Sequence, residues 1–206
     1  CGCPSERVQT GSFGACLMAE PAIVADCVKA MRDAVSVPVT VKHRTGLDDG
    51  DDYAFVRDFV GTVEGAGCEV FIVHARNAVL KGLSPKENRD VPPLRYDVVR
   101  RLKEDFPAVT IVLNGGLNDW DAIERELAHV DGVMLGRVAY HDPYFLAQAA
   151  ARLFGDQSPA RSRAEVLQAL VPYAHAQLAR SAPLRAIARH VLGLYHGCSG
   201  GRRPCD

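Results

Sequence analysis

Four short runs of apolar, mostly β-branched residues, each closing on a polar residue or glycine, restrict this 206-residue chain more than any other feature. They are Pro38-Val-Thr-Val-Lys42, Val70-Phe-Ile-Val-His74, Thr110-Ile-Val-Leu-Asn114 and Gly132-Val-Met-Leu-Gly136. Such near-continuous apolar runs predict parallel strands buried on both faces, not half-wet antiparallel ones. Helical periodicity fills the intervals. Residues 21–35 gather Ile23, Val24, Cys27, Val28 and Met31 on one face, and residues 53–64 gather Phe55, Val56, Phe59, Val60 and Val63. Residues 94–106 and 119–130 follow, the latter capped by Asn118 or Asp119. The alternation predicts an α/β fold on a parallel sheet. Four strand–helix units make half of a (β/α)8 barrel, whose complete form takes about 250 residues. Past Gly155 the strand pattern stops. Residues 162–179 and 184–195 read as helices separated by Ser181-Ala-Pro183, with residues 156–160 as linker.

No run reaches the roughly 18 apolar residues of a membrane span, and no signal peptide opens the chain. A hydrophobic share of 48% with a net charge of -1 excludes disorder. The chain starts at Cys1 without Met and closes on Arg-Arg-Pro-Cys-Asp, so a fragment is expected. Charge is distributed unevenly. Residues 151–206 hold eight Arg and no Lys against three acids, a balance of +5, whereas residues 1–150 carry 16 cations against 22 anions. A basic segment on an acidic body fits either a polyanion partner or a solvated helical surface. Seven cysteines, an odd number in a chain too long to need disulfides, fit a reducing cytoplasm. Cys27 and Cys68 lie among apolar residues, as core thiols do. Cys1 and Cys3 have no second Cys/His pair at ligand spacing, so no metal is expected.

In a parallel barrel, functional side chains gather at the C-terminal ends of the strands. Here those ends carry Lys42, His74, Asn114 with Gly115 and Gly116, and Gly136 with Arg137. The two glycine turns suit an anion bound by backbone N–H groups, with Arg137 adding a charge-assisted fork. No G-x-G-x-x-G follows a strand, which favours a phosphate-bearing cofactor such as FMN over a Rossmann dinucleotide. Pro4 ends any regular structure beyond Cys1-Gly-Cys3, so the Cys3 thiol is expected at the same mouth, as nucleophile or general acid.

Residues 1–18, Cys-Gly-Cys-Pro-Ser-Glu-Arg-Val-Gln-Thr-Gly-Ser-Phe-Gly-Ala-Cys-Leu-Met, resemble the signature of the tRNA-dihydrouridine synthases. Val39-Thr-Val-Lys-His-Arg44, Phe71-Ile-Val-His-Ala-Arg76, Val91-Pro-Pro-Leu-Arg-Tyr-Asp97, Leu113-Asn-Gly-Gly116 and Asp131-Gly-Val-Met-Leu-Gly-Arg137 follow in the family's order. Leu83-Ser-Pro-Lys-Glu-Asn-Arg89 is similar to the bacterial A-type subfamily, which modifies uridines 20 and 20a of the tRNA D-loop. The resemblance implies an FMN enzyme that reduces the C5–C6 bond of uridine with NAD(P)H (NADPH or NADH) as electron source. Cys3 matches the general acid that protonates C5. Lys42, His74, Asn114, Gly115, Gly116, Gly136 and Arg137 match the flavin contacts, the first two at the polar edge of the isoalloxazine. Lys86, Arg89 and Arg202 match tRNA contacts. The resemblance divides the chain into part of the FMN-binding barrel, residues 1–155, and part of a helical tRNA-binding domain, residues 156–206.

Members of that family carry about 100 further residues ahead of the position of Cys1, including the earlier barrel strands. Without them an open parallel sheet is expected to expose an edge and apolar faces. Pro204 would break the family's last helix, and Cys205 stands where a second tRNA-contacting arginine is expected. Two alternatives stay open on sequence alone: an inactive remnant that binds RNA without flavin, and another FMN barrel acting on a free pyrimidine.

Overall fold

Alternate residues of a strand point to opposite faces of its sheet, and burial in this protein follows that period of two. The computed structural model describes residues 1–50 and 52–198, and the chain divides into two units, Cys1–Met134 and Leu135–Asp206. The first unit opens with α1 (Glu6–Thr10), a 3-10 stretch (Gly14–Ala19) and α2 (Pro21–Ala34). There follow β1 (Thr40–Arg44), α3 (Tyr53–Gly65), β2 (Val70–His74), α4 (Tyr96–Asp105), β3 (Thr110–Asn114), α5 (Trp120–Leu127) and β4 (Gly132–Met134). The strands form one parallel sheet in the order β1-β2-β3-β4, with Lys42 opposite Ile72, Ile72 opposite Val112, Arg44 opposite His74 and His74 opposite Asn114. These are consecutive βα units of the kind that build (β/α)8 barrels.

One face of the sheet is closed by helices. Val41, His43, Phe71, Val73, Ile111 and Leu113 are buried there, against Val56, Phe59, Val60 and Val63 of α3, Leu102 of α4 and Ile123 of α5. Each fully buried side chain of this size contributes about 1.5–3 kcal/mol. The other face bears Thr40, Lys42, Ile72, His74, Val112 and Asn114, none of them buried. Burial on both faces, expected from the apolar runs, is therefore corrected: the sheet is filled on one side and half open on the other.

The predicted elements recur with shifts that have local causes. Proline has no N–H to give a ladder, so β1 begins at Thr40 and not at Pro38, and it runs on through His43 and Arg44. Strand β4 stops at Met134. In α2 the buried residues are Val24, Ala25 and Val28, while Ile23, Met31 and Cys27 are exposed, which corrects both the expected face and Cys27 as a core thiol. Cys68 is buried as expected. Helix starts follow capping chemistry: Asp52 accepts from Ala54 N and Asp119 from Ala122 N, both at 2.8 Å. A half-buried ion pair joins α4 to α5, where the Arg100 guanidinium grips the buried Glu126 carboxylate with two bonds of 2.9 and 2.6 Å.

The second unit is helical among the described residues. It contains α6 (Arg137–His141), a 3-10 stretch (Pro143–Gln148), α7 (Ala149–Phe154), α8 (Arg163–Leu178), α9 (Leu184–Ala188) and a last 3-10 turn (Leu192–Tyr195). Helix α8 starts at a capping box, in which Ser162 and Glu165 each accept from the other's backbone N–H. Among the described residues, no helix is long and apolar enough to cross a membrane.

Candidate active site

The half-open face of the first unit places polar residues where its strands end. Lys42, one residue row below the ends, extends its ammonium across the sheet and donates to Asn114 Oδ1 at 3.0 Å. The Asn114 amide in turn donates to Met134 O at 2.8 Å, so one side chain ties β1, β3 and β4 together. Burial, assisted by the nearby Arg44 charge, holds the Lys42 ammonium below its ordinary pKa. His74 ends β2 beside Asn114 in the ladder.

The Gly115-Gly116 turn requires its glycines. Their φ values are 113° and 69°, a left-handed region that side chains disfavour. A Cβ on Gly115 would lie 2.7 Å from His74 Cδ2, and one on Gly116 would lie 2.9 Å from the Tyr96 hydroxyl. Tyr96 secures the turn by donating to Gly115 O at 2.7 Å. Bare backbone is thus presented next to Lys42 and His74.

Cys3 is exposed, with its Sγ 3.4 Å from Ser5 Oγ. As a thiol it donates to that oxygen; as a thiolate it accepts from the hydroxyl. The second arrangement, together with the Arg44 charge, lowers the thiol pKa. The loop is fixed behind it, where Ala15 N donates to Cys3 O at 2.8 Å, and a Cβ at Gly14 (φ 85°) would come 2.6 Å from that same carbonyl.

Arg44, a residue that the sequence motifs leave without a role, organises these loops. It is only 3% exposed and donates to three backbone carbonyls: Gly2 at 3.1 Å, Asn88 at 2.9 Å and Asn77 at 3.5 Å. Burial and the like charge of Arg76 bring its pKa down to about 10, so it stays cationic at neutral pH. The signal that could have found it is spacing: Arg44 lies two residues beyond Lys42, on the same strand face.

Lys86 and Arg89 stand exposed on a loop pinned by Asn88 between them. Asn88 is fully buried, accepts from Val79 N at 2.8 Å and donates to Val79 O at 2.9 Å. Gly136 and Arg137 belong to the second unit, at the start of α6. A Cβ on Gly136 would meet nothing within 4 Å inside this chain. Arg202, Pro204 and Cys205 lie outside the described residues. Among the described residues, no three His, Cys, Asp or Glu side chains are grouped closely enough to hold a metal ion.

The model of the dihydrouridine synthase family matches residues 1–203. The chain is 60% identical over 202 residues to the tRNA-dihydrouridine(20/20a) synthase of Xanthomonas campestris pv. campestris, covering 98% of this chain and 60% of that protein. The enzyme of the same name from Pseudomonas putida is 57% identical over 202 residues, with the same coverage. That from Vibrio parahaemolyticus is 54% identical over 203 residues, covering 98% of this chain and 62% of the relative. The chain thus spans about 60% of the length of the curated relatives it matches.

Proposed function

Because the chain belongs to the dihydrouridine synthase family, we propose that it serves an FMN-dependent reduction of the C5–C6 bond of uridines 20 and 20a in the tRNA D-loop, with NAD(P)H as electron source. The observation that carries this reading is the convergence of Lys42, His74, Asn114 and a bare glycine turn towards one end of the sheet, with the Cys3 loop tied to the end of β1 by Arg44. Those residues fit a flavin. A cation, an imidazole and an amide suit the polar edge of an isoalloxazine, and two successive left-handed glycines suit close approach of backbone N–H groups to an anion. Gly136 and Arg137 are assigned to the same cofactor by their match to the family's pattern. FMN, when bound, supplies the hydride for C6 of the uracil.

The protein's own part is positional and acid–base. Cys3 holds the proton that C5 must receive, and the thiol proton leaves as the new C5–H bond forms. A pKa lowered towards neutrality improves that donor, because proton transfer is most effective when donor pKa and working pH are close. The Ser5 hydroxyl and Arg44 then stabilise the thiolate left behind. Lys86, Arg89 and Arg202 contact the tRNA backbone, and the arginine-rich helices from residue 156 onward act as its docking segment. The target base must leave the stack to reach Cys3. A tRNA substrate implies the cytoplasm as the site of action.

The test is Cys3→Ala in the flavin-loaded protein. Flavin absorbance should persist, while dihydrouridine formation on tRNA should fall at least a hundredfold, the scale of a lost general acid. Undiminished turnover would remove Cys3 from the mechanism.

A further inference from the structure

Between the loop after β1 and the loop after β2 lies an open cleft of about 430 Å³, at the end of the sheet that bears His74. One wall is apolar, formed by Val79, Leu83, Val91 and Pro92, and Asp48 and Arg95 stand on the others. None of these residues has a part in the site described above. The volume falls within the range of small-molecule sites. The cleft is also built. Asn77, buried in its wall, gives its amide hydrogens to Asp48 O at 3.1 Å and Gly50 O at 2.9 Å, and accepts from the Thr45 hydroxyl at 2.8 Å. Asp48 accepts from Leu80 N at 2.8 Å and adopts a left-handed φ of 51°. Asn88 fixes the loop that carries Lys86 and Arg89.

The cleft and the thiol loop share one side chain. Arg44 donates to Gly2 O, next to Cys3, and to Asn77 O, in the cleft wall, so the two carbonyls lie within roughly 9 Å of each other across a rigid guanidinium. We propose that this cleft is a second nucleoside site, which takes the base of the nucleotide adjoining the uridine presented to Cys3. The assignment rests on the tRNA reading above. The apolar wall matches the flat face of a base, and the Asp48 and Asp49 carboxylates accept from exocyclic amines or ribose hydroxyls. Those two carboxylates outweigh the single Arg95 guanidinium on the wall, so a phosphate is left to Lys86 and Arg89 outside the cleft. Two seats for adjacent bases also give one active centre a physical route to two neighbouring uridines: the strand moves on by one nucleotide and the chemistry is unchanged.

The experiment uses tRNA with 2-aminopurine, or an abasic residue, on either side of the target uridine in turn, and the variant Val91→Trp. Val91 is 62% exposed, so the indole fills the cleft from its rim without entering the core. With 2-aminopurine at the correct neighbour, its fluorescence on binding should differ between the two proteins, because the base is seated in the unsubstituted cleft and shut out of it by the indole of Val91→Trp, a readout that needs no turnover. In turnover, removing the neighbouring base should lower kcat/KM of the unsubstituted protein about tenfold, the equivalent of burying roughly 55 Å² of base face. Val91→Trp should lose the same factor on intact tRNA and nothing more on the abasic one. Identical fluorescence in both proteins overturns the assignment, and so does an abasic substitution that costs nothing on either side. If the 2-aminopurine tRNA shows that fluorescence difference but no dihydrouridine forms on intact tRNA, the reduction reading fails while the nucleoside site stands.

Discussion

His43 gives the most quantitative handle on this fold. It is fully buried on the helix side of β1, with its ring 5.1 Å from that of Phe59 and 5.9 Å from that of Phe71. Its Nδ1 donates to Arg44 O at 2.7 Å, and Nε2 has no partner. Burial, with smaller contributions from the Cys1 ammonium and the Lys42 charge, lowers its pKa from 6.5 to about 4. The unfolded chain therefore binds this proton more readily than the folded one. The stability that neutral His43 allows is fully present above pH 6.5 and is lost as pH falls towards 4. Each pH unit between the unfolded and folded pKa is worth about 1.4 kcal/mol, so linkage puts the loss at about 2 kcal/mol between pH 7.5 and pH 5, and about 3 kcal/mol below pH 4. Urea unfolding at a series of pH values would measure the slope in the unsubstituted protein and in His43→Leu. The variant gives up one hydrogen bond and starts less stable at pH 7.5, but it should lack this component of the acid slope, so the two curves converge as pH falls. Parallel curves would refute the argument.

Three further outcomes follow from the geometry. Arg100→Met strands the Glu126 carboxylate, which is 2% exposed, whereas Glu126→Gln strands a guanidinium that is 34% exposed. The first should cost about 3–5 kcal/mol in chemical denaturation and the second distinctly less, so equal costs would contradict the burial asymmetry. Gly115→Ala forces a side chain into a φ of 113° against the His74 ring; it should cost about 1–3 kcal/mol and release flavin on gel filtration, as judged by visible absorbance. Ser5→Ala removes the main cause of the lowered Cys3 pKa, so the midpoint of alkylation by iodoacetamide should move to higher pH and the rate at pH 7 should fall. An unmoved midpoint would assign the effect to the Ser5 backbone N–H and the Arg44 charge instead.

Local chemistry explains which parts of this fold can be read without coordinates. Strands β2 and β3 begin and end where their apolar runs do. Strand β1 runs two residues further than its apolar pattern, because His43 and Arg44 find partners only in three dimensions, the first among aromatic rings and the second among loop carbonyls. The hydropathy of helix α2 points one residue out of phase with its burial: Ala25 takes the buried position that a larger Ile23 or Met31 would claim on hydropathy alone. In the site, His74 and Asn114 are legible because strand ends in a parallel sheet are the expected place for polar groups, and Lys42 because it closes the apolar run of β1, although the strand continues past it. Arg44, Asn77 and Asn88 are not. They bond mainly to main-chain atoms, and a backbone carbonyl leaves no mark on the identity of the residue that carries it.

The attachment of Arg44 to Gly2, Asn77 and Asn88 joins segments more than 80 residues apart through one cation. Peeling back any of the three loops leaves a buried charge with fewer acceptors, so none is cheap to release by itself. Their opening is therefore expected to be cooperative and to share one free energy, as in a single foldon, in place of the independent fraying usual for surface loops. A substrate that pulls on the loop bearing Lys86 and Arg89 is then felt at the thiol loop as well, and the strand ends open and close as a single mechanical unit.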